Sequence, residues 1–118
     1  MVDDEKRYSI EEIIELCKIA PIIIVGRQKN REFLQKTLHN STDVIDEIRS
    51  LRVEYACADA ELDNGINRKG YVYQFKKLIF EKYWCYIKLK VKISNKKRQL
   101  ILVISFHEED TNYEKKQG

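Results

Sequence analysis

The stretch that decides the fold is YWCYIKLKVKI, residues 83–93, in which apolar and polar side chains alternate. Successive side chains of a β-strand point to opposite faces of the sheet, so the alternation predicts a strand with two unlike faces. One face is apolar and the other carries a tyrosine and three lysines: Ile87, Leu89, Val91 and Ile93 against Tyr86, Lys88, Lys90 and Lys92. Burying unpartnered cations costs several kcal/mol each, so the second face is expected to meet water or phosphate.

The neighbouring segments extend this strand into an antiparallel meander. Residues 94–97 have the composition of a hairpin loop, and Leu100–Phe106 is continuously apolar. Such a run is typical of a central strand buried on both faces. Upstream, Gly70–Leu78 alternates and predicts a third strand, with Tyr73 on one face and Gln74 on the other.

The N-terminal half is predicted to hold three helices and one short strand. In order these are helix Tyr8–Ala20, strand Ile22–Val25, helix Arg31–Leu38 and a helix capped by Thr42. Ser9 and Glu12 form a capping-box pattern in the first helix, and Pro21 ends it. Residues 56–70 lack a clear period and are predicted to be a loop. We therefore expect one α+β domain over residues 1–118, with helices on one face of a small, mainly antiparallel sheet. Its ordered core is expected at about residues 8–109, followed by a polar tail.

Composition limits the function classes. The chain has 118 residues, of which 43% are apolar and 35% charged, as in an ordinary soluble domain. The longest apolar run, Ile19–Val25, is too short to span a membrane, and no signal peptide is evident. The widely spaced Cys17, Cys57 and Cys85 are expected to be free thiols in a reducing cytoplasm. With only His39 and His107 beside them, the sequence predicts no metal site and no cofactor.

Charge is distributed very unevenly along the chain. Residues 68–100 contain eleven basic residues and one acidic residue, Glu81. This excess favours a polyanionic partner, with a solvated strand face as the alternative. Lysines at alternate strand positions lie about 6–7 Å apart, close to the phosphate spacing of an extended nucleic-acid strand. Aromatic residues in the same region could stack unpaired bases: Tyr71, Tyr73, Tyr83, Trp84 and Tyr86.

His107 follows the apolar strand at the point where the chain leaves the core. Histidine as a residue type suits proton transfer near neutrality, although a half-exposed histidine at a strand end is the ordinary alternative. A hairpin turn centred on Lys96 pairs Tyr86 with Phe106 and places His107 one position away. Tyr86 and His107 are therefore expected at the same end of the sheet, and a β-bulge would shift either by one position.

Residues 86–91 followed by residues 101–108 resemble the C-terminal hairpin of the MqsR-like toxins, a branch of the RelE-type mRNA interferases. In that family an aromatic-apolar-lysine strand precedes an apolar strand that closes on Ser-Phe and then a basic or titratable residue. Residues 43–55 look like the family's third helix and next strand, and residues 70–75 look like its aromatic strand. The resemblance spans most of residues 8–109 and implies a RelE-like fold.

The resemblance also implies a function: a toxin that acts as a metal-independent endoribonuclease on mRNA. It implies a cognate protein antitoxin as partner and leaves a role for the ribosome open. The implied catalytic residues are Tyr86, His107 and Gln74, and the expected RNA contacts are Lys76, Lys88, Lys90, Lys92 and Tyr73. Ala56 and Cys57 stand near the place of a family lysine, and Gln74 matches the family glutamine only with a two-residue shift from Val72. The alternatives are a module that binds RNA without cutting it and a docking surface for an acidic protein.

Overall fold

The computed structural model describes residues 6–63 and 69–109. Within these ranges it contains three α-helices, a 3₁₀ turn at Val53–Tyr55 and five strands. The helices are α1 (Ile10–Ile19), α2 (Gln28–Thr37) and α3 (Ser41–Arg49). The strands are β1 (Ile22–Ile24), β2 (Glu61–Leu62), β3 (Tyr71–Ile79), β4 (Tyr83–Ile93) and β5 (Gln99–Glu108).

The five strands form one mixed sheet in the order β1-β5-β4-β3-β2. The three pairings among β2, β3, β4 and β5 are antiparallel. The fourth pairing, of β1 with β5, is parallel and brings Ile24 beside Val103. The expected α+β class and the mainly antiparallel sheet are confirmed. The short strand β2 was not predicted, because its two residues within the 56–70 segment show no alternation that distinguishes them from a loop.

Helix ends differ from the sequence-based expectation for local reasons. The Ser9–Glu12 capping box is present, so α1 begins at Ile10 rather than Tyr8. The helix α2 begins three residues before the predicted Arg31, and α3 is capped by Asn40 rather than Thr42. Asn40 accepts a hydrogen bond from the backbone of the residue three positions later, as Ser9 does in α1.

The core lies between the helices and one face of the sheet. Ile13 of α1 and Ile48 of α3 are fully buried, and so are Ile87 and Leu89 on the apolar face predicted for β4. The opposite face, which we call the open face, bears Tyr86, Lys88, Lys90 and Lys92. The alternation of residues 83–93 therefore predicted correctly which side of the strand enters the core.

The expectation that β5 is buried on both faces is wrong. Ile101 and Val103 are fully buried on the helix side, whereas Leu102 and Ile104 are only half-buried on the open face. The apolar run arises because one side of β5 meets the helices and the other forms part of a groove floor. Apolar character alone does not distinguish these two environments.

A β-bulge interrupts the pairing of β4 with β5 and determines where the end of β5 points. Leu89 pairs with Val103, but the next residue, Lys88, pairs with Ser105, so Ile104 is the additional residue. One additional residue exchanges the two faces of the strand beyond it. Phe106 therefore enters the core, and the residue after it lies on the open face.

The side chain of Asn30 in α2 holds this bulge from the core side. Its amide nitrogen donates to the Val25 and Ile104 carbonyl oxygens at 3.0 Å each, and its amide oxygen accepts from the Phe106 backbone N–H at 2.9 Å. Asn30 is 2% exposed. Buried polar groups in proteins are almost always hydrogen-bonded, and the backbone around the bulge supplies the partners of this buried side chain.

Within residues 6–63 and 69–109, no helix is long and apolar enough to cross a membrane. The predicted polar tail after residue 109 lies outside the described residues, and so do residues 64–68 of the predicted loop.

Candidate active site

The bulge places His107 directly opposite Tyr86 on the open face. Next to the turn the strands pair as predicted for a turn centred on Lys96, because Ile93 pairs with Gln99. Beyond the bulge the pairing is shifted by one residue, so that Tyr86 faces His107 instead of Phe106. The Tyr86 and His107 ring centroids are 6.2 Å apart with an angle of 56° between the ring planes. The prediction that these two residues lie at the same end of the sheet is confirmed.

Tyr86 is held as a hydrogen-bond donor. Its hydroxyl donates to Oε1 of Gln74, its neighbour on β3, and Nε2 of Gln74 donates to Glu61 of β2 at 2.5 Å. Burial raises the pKa of Tyr86, with smaller contributions from Cys57 and Glu61. A raised pKa keeps the phenol protonated at neutral pH, so Tyr86 is suited to donating a hydrogen bond rather than to exchanging a proton.

The His107 ring is oriented by its own chain. Nδ1 lies 2.9 Å from the Glu108 carbonyl oxygen, and a carbonyl can only accept a hydrogen bond. The contact therefore assigns the proton of the neutral imidazole to Nδ1 and leaves Nε2 as the acceptor. His107 is half-buried, so its ring is partly accessible from the open face.

These side chains line an open pocket of about 420 Å³. Its lining consists of Cys57, Gln74, Lys76, Tyr86, His107 and Glu109. Lys76 pairs with Glu109 at 2.5 Å. Sequence reasoning missed Glu109, although it follows His107 by two residues and so continues the same face of the chain.

A backbone hydrogen bond holds Cys57 at the pocket. Its N–H donates to the Gln74 carbonyl oxygen at 2.8 Å, next to an isolated bridge between Ala56 and Phe75. The segment after the 3₁₀ turn thus runs beside β3. Of the two residues that stand near the place of the family lysine, Cys57 lines the pocket and its thiol is exposed.

A second depression, which we call the basic groove, crosses the open face beside the pocket and has a volume of about 620 Å³. Its apolar floor includes Val25, Val72, Leu102 and Ile104. Five cations and one carboxylate line it: Arg27, Lys69, Lys88, Lys90, Lys92 and Asp63. The groove therefore combines a strongly positive wall with an apolar floor.

The predicted RNA-binding lysines are in different states. Lys90 pairs with Asp63 at 2.9 Å, and their side chains are only 18% and 8% exposed. Lys92 is exposed, whereas Lys88 is half-buried, and neither forms an ion pair with any of the described residues. An anion entering the groove would therefore meet Lys88 and Lys92 as unpaired cations and would compete with Asp63 for Lys90.

Arg27 is a further cation that sequence reasoning did not identify. It follows β1, and the parallel pairing of β1 with β5 brings its guanidinium within 3.3 Å of the Ser105 hydroxyl. Its charge also acts on Tyr86, since it opposes the increase in the tyrosine's pKa. The sequence did predict the short strand that precedes Arg27. It did not show that this strand pairs with β5, because strand pairing depends on residues far apart in the chain.

Tyr73 does not lie where it could contact RNA, and this prediction is wrong. It is 1% exposed on the helix side, and its hydroxyl accepts a hydrogen bond from the Tyr8 backbone at 2.7 Å. Tyr83 also packs on that side, with its ring edge-on to Phe33 at 5.4 Å. Of the aromatic residues considered for stacking, Trp84 and Tyr86 are the two whose strand positions face the open side.

Among the described residues, no three His, Cys, Asp or Glu side chains lie close enough together to hold a metal ion. Comparisons with protein-family models, with curated proteins and with solved structures find no match to this chain.

Proposed function

We propose that this chain is an endoribonuclease that cuts single-stranded RNA without a metal ion, at the Tyr86–His107 pocket. The observation that carries the proposal is the bulge, which turns His107 out of the core and sets it opposite Tyr86. Bulges that reorient a side chain are over-represented next to active sites, as well as at sheet edges and barrel rims. The neighbouring basic groove supplies a path for the phosphate backbone.

The proposed reaction uses the RNA's own 2′-hydroxyl as nucleophile. The 2′-oxygen bonds to the adjacent phosphorus, and the bond from phosphorus to the 5′-oxygen breaks. The proton of the 2′-hydroxyl passes to a base, and another proton passes to the leaving 5′-oxygen. The products are a 2′,3′-cyclic phosphate and a 5′-hydroxyl end.

Each step has a candidate group in the pocket or in the adjacent basic groove. His107 is the candidate for proton transfer, a role worth about 10²–10⁴-fold in rate. Tyr86 would donate a hydrogen bond to a phosphate oxygen in exchange for the one that it gives to Gln74. Arg27 and Lys88, which line the groove, are the candidates for stabilising the charge that develops on the equatorial oxygens. Glu109, which lines the pocket and pairs with Lys76, is a second candidate for proton transfer.

At the level of family, the proposal is a toxin of the MqsR-like type with a RelE-like fold, acting on mRNA in the cytoplasm. It is supported by the resemblance of residues 86–108 and by an element order of helices followed by antiparallel strands. A nuclease of this kind requires restraint in its host, so a cognate protein antitoxin is part of the proposal. The same cleavage assays, run with and without ribosomes, test whether the ribosome takes part.

The second candidate function is RNA binding without cleavage. It is favoured by two carboxylates that bind pocket residues: Glu61 accepts a hydrogen bond from Gln74, and Glu109, which lines the pocket, pairs with Lys76. These anions oppose entry of a phosphate unless they are displaced. Docking of an acidic protein at the same face is the third reading. In that case the chain would not bind RNA even at low salt.

The test is incubation of the purified chain with single-stranded RNA in excess chelator, followed by analysis of the product ends. The proposal predicts cleavage with 2′,3′-cyclic phosphate ends. RNA affinity should fall with salt by a slope of about −0.7 for each phosphate contacted. Lys88→Ala should reduce that slope by about one contact, whereas Lys18→Ala on the helix side should not. Binding without cleavage would support the second candidate, and no binding at low salt would support the third.

The antitoxin is tested by co-expression with the product of the neighbouring gene and size-exclusion chromatography. One joint peak and relief of growth arrest are expected. Separate peaks with growth still arrested would contradict this part of the proposal.

A further inference from the structure

Trp84 and Leu78 form an exposed apolar pair on the open face. They are direct cross-strand neighbours on β4 and β3, and each is 52% exposed. Cys85, the next residue, is fully buried on the helix side, so the core does not require either side chain. An indole left in water beside a charged surface favours a binding role over a packing role.

The pair lies immediately beyond the candidate active site. The next cross-strand pair along the same face is Tyr86 with Lys76, and both residues line the pocket. Residues two apart in a strand are separated by about 6.6 Å, close to the spacing of successive nucleotides in an extended single strand. A strand of RNA with one phosphate at Tyr86 therefore reaches the indole with its adjacent nucleotide.

The backbone beneath the indole is fixed. Trp84 is paired on one side with β3, and its carbonyl oxygen accepts a hydrogen bond from the Glu109 N–H at 3.0 Å on the other. A large aromatic face on a fixed backbone loses little freedom when a flat partner stacks on it. The pocket beside the indole holds one lysine and one glutamate, and the basic groove beyond it holds five cations and one carboxylate. The excess of cations along this face matches a polyanion better than a basic or neutral protein.

We propose that Trp84, supported by Leu78, is a stacking platform for the unpaired base next to the phosphate held at Tyr86 and His107. This inference rests on the proposed function and adds a base-binding subsite to it. Stacking on an aromatic side chain tolerates every base but requires that the base be free of its partner strand. The platform therefore selects unpaired RNA, while the groove lysines bind its phosphates.

The chain contains a single tryptophan, so its fluorescence reports on this platform alone. The probe is a 2′-O-methyl hexanucleotide, which lacks the 2′-hydroxyl and cannot be cut by the proposed reaction. Its titration should quench the fluorescence, with a midpoint equal to that from anisotropy of the labelled oligonucleotide. Binding without any change in tryptophan emission would overturn the inference.

Variants provide the second readout. Trp84→Ala should weaken binding about 10-fold, the usual effect of losing one stacked base, whereas Trp84→Phe should retain most of the affinity. Ile19→Ala removes a more exposed apolar side chain from α1 and should change nothing, and all variants should melt as the wild type does. An oligonucleotide with one abasic position should bind wild type about 10-fold less tightly and should lose no further affinity to Trp84→Ala. Equal affinity of wild type and Trp84→Ala would overturn the inference.

The two proposals fail separately. If the hexanucleotide quenches Trp84 and ordinary RNA is not cut, the nuclease proposal fails and the stacking platform stands. If RNA is cut while Trp84→Ala has unchanged affinity and fluorescence is unaffected, the platform fails and the nuclease proposal stands. Quenching by an acidic protein but not by the oligonucleotide would assign the surface to a protein partner and overturn the stacking platform, while the cleavage assay would still decide the nuclease proposal.

Discussion

Replacing Asn30 with alanine tests how the β-bulge is maintained. The substitution removes three hydrogen bonds from a side chain that is 2% exposed. The Val25 carbonyl also accepts from the Arg27 backbone and keeps a partner, so two groups lose most: the Ile104 carbonyl and the Phe106 N–H. Each buried group left unsatisfied costs about 1–3 kcal/mol, which gives a loss of about 3 kcal/mol in the free energy of unfolding.

That loss is large enough to measure in two ways. For a domain of this size the melting temperature should fall by about 12 °C. Hydrogen exchange of the Phe106 amide should accelerate far more than exchange at sites distant from the bulge, because its acceptor is removed. Thr37→Ala on the same helix is the matched control: it removes a hydroxyl bonded to the carbonyl of Phe33 within the helix and should cost about 1 kcal/mol.

The assignment of Asn30 to the bulge would be refuted by a specific result. If Asn30→Ala melted as Thr37→Ala does, with Phe106 exchange unchanged, the bulge would be maintained without the asparagine. The same variant should also impair RNA cleavage more than Thr37→Ala does, since the position of His107 depends on the bulge.

Three further predictions concern other parts of the molecule. Asp63→Asn should free Lys90 and strengthen RNA binding about 10-fold in anisotropy titrations. A carboxylate about 6 Å from a phosphate repels it by about 0.7 kcal/mol in bulk water and by about 2.8 kcal/mol at an effective dielectric constant of 20. The control is Asp46→Asn on α3, which makes the same charge change and should have little effect. Glu81→Gly should raise the free energy of unfolding by about 0.5–1 kcal/mol, because this turn residue has a φ of 61°, and a lower melting temperature would contradict this. Burial raises the pKa of all three cysteines, to about 12 for Cys17 and Cys85, but only Cys57 is exposed. It should therefore react with a thiol reagent long before the other two, and three equal rates would contradict this.

The sequence predicted those features that depend on local pattern. Alternation in residues 83–93 identified the two faces of β4, and the composition of residues 94–97 placed the turn. Tyr86 and His107 were brought together from the turn position alone. These predictions succeed because the period of a strand and the register near a hairpin turn are set by residues close in the chain.

Features that depend on distant residues were not predicted. The bulge at Ile104 is held by Asn30, which lies 74 residues earlier, and nothing in the β5 sequence marks it. Tyr73 was expected to contact RNA because alternation shows which residues share a face but not which face the helices cover. The pairing of Lys90 with Asp63 was missed for a similar reason, since a lysine-rich strand does not show which of its charges are already neutralised.

The most direct test of the central claim is a double-mutant cycle on the rate of RNA cleavage by Tyr86 and His107. The rates of wild type, Tyr86→Phe, His107→Ala and the double variant would be measured at saturating RNA, with melting curves to confirm folding. We expect each single change to slow cleavage by about 10²-fold or more, and the double variant to be little slower than the slower single variant, because both groups act on one phosphate. A folded double variant that cuts RNA at the wild-type rate would contradict the account.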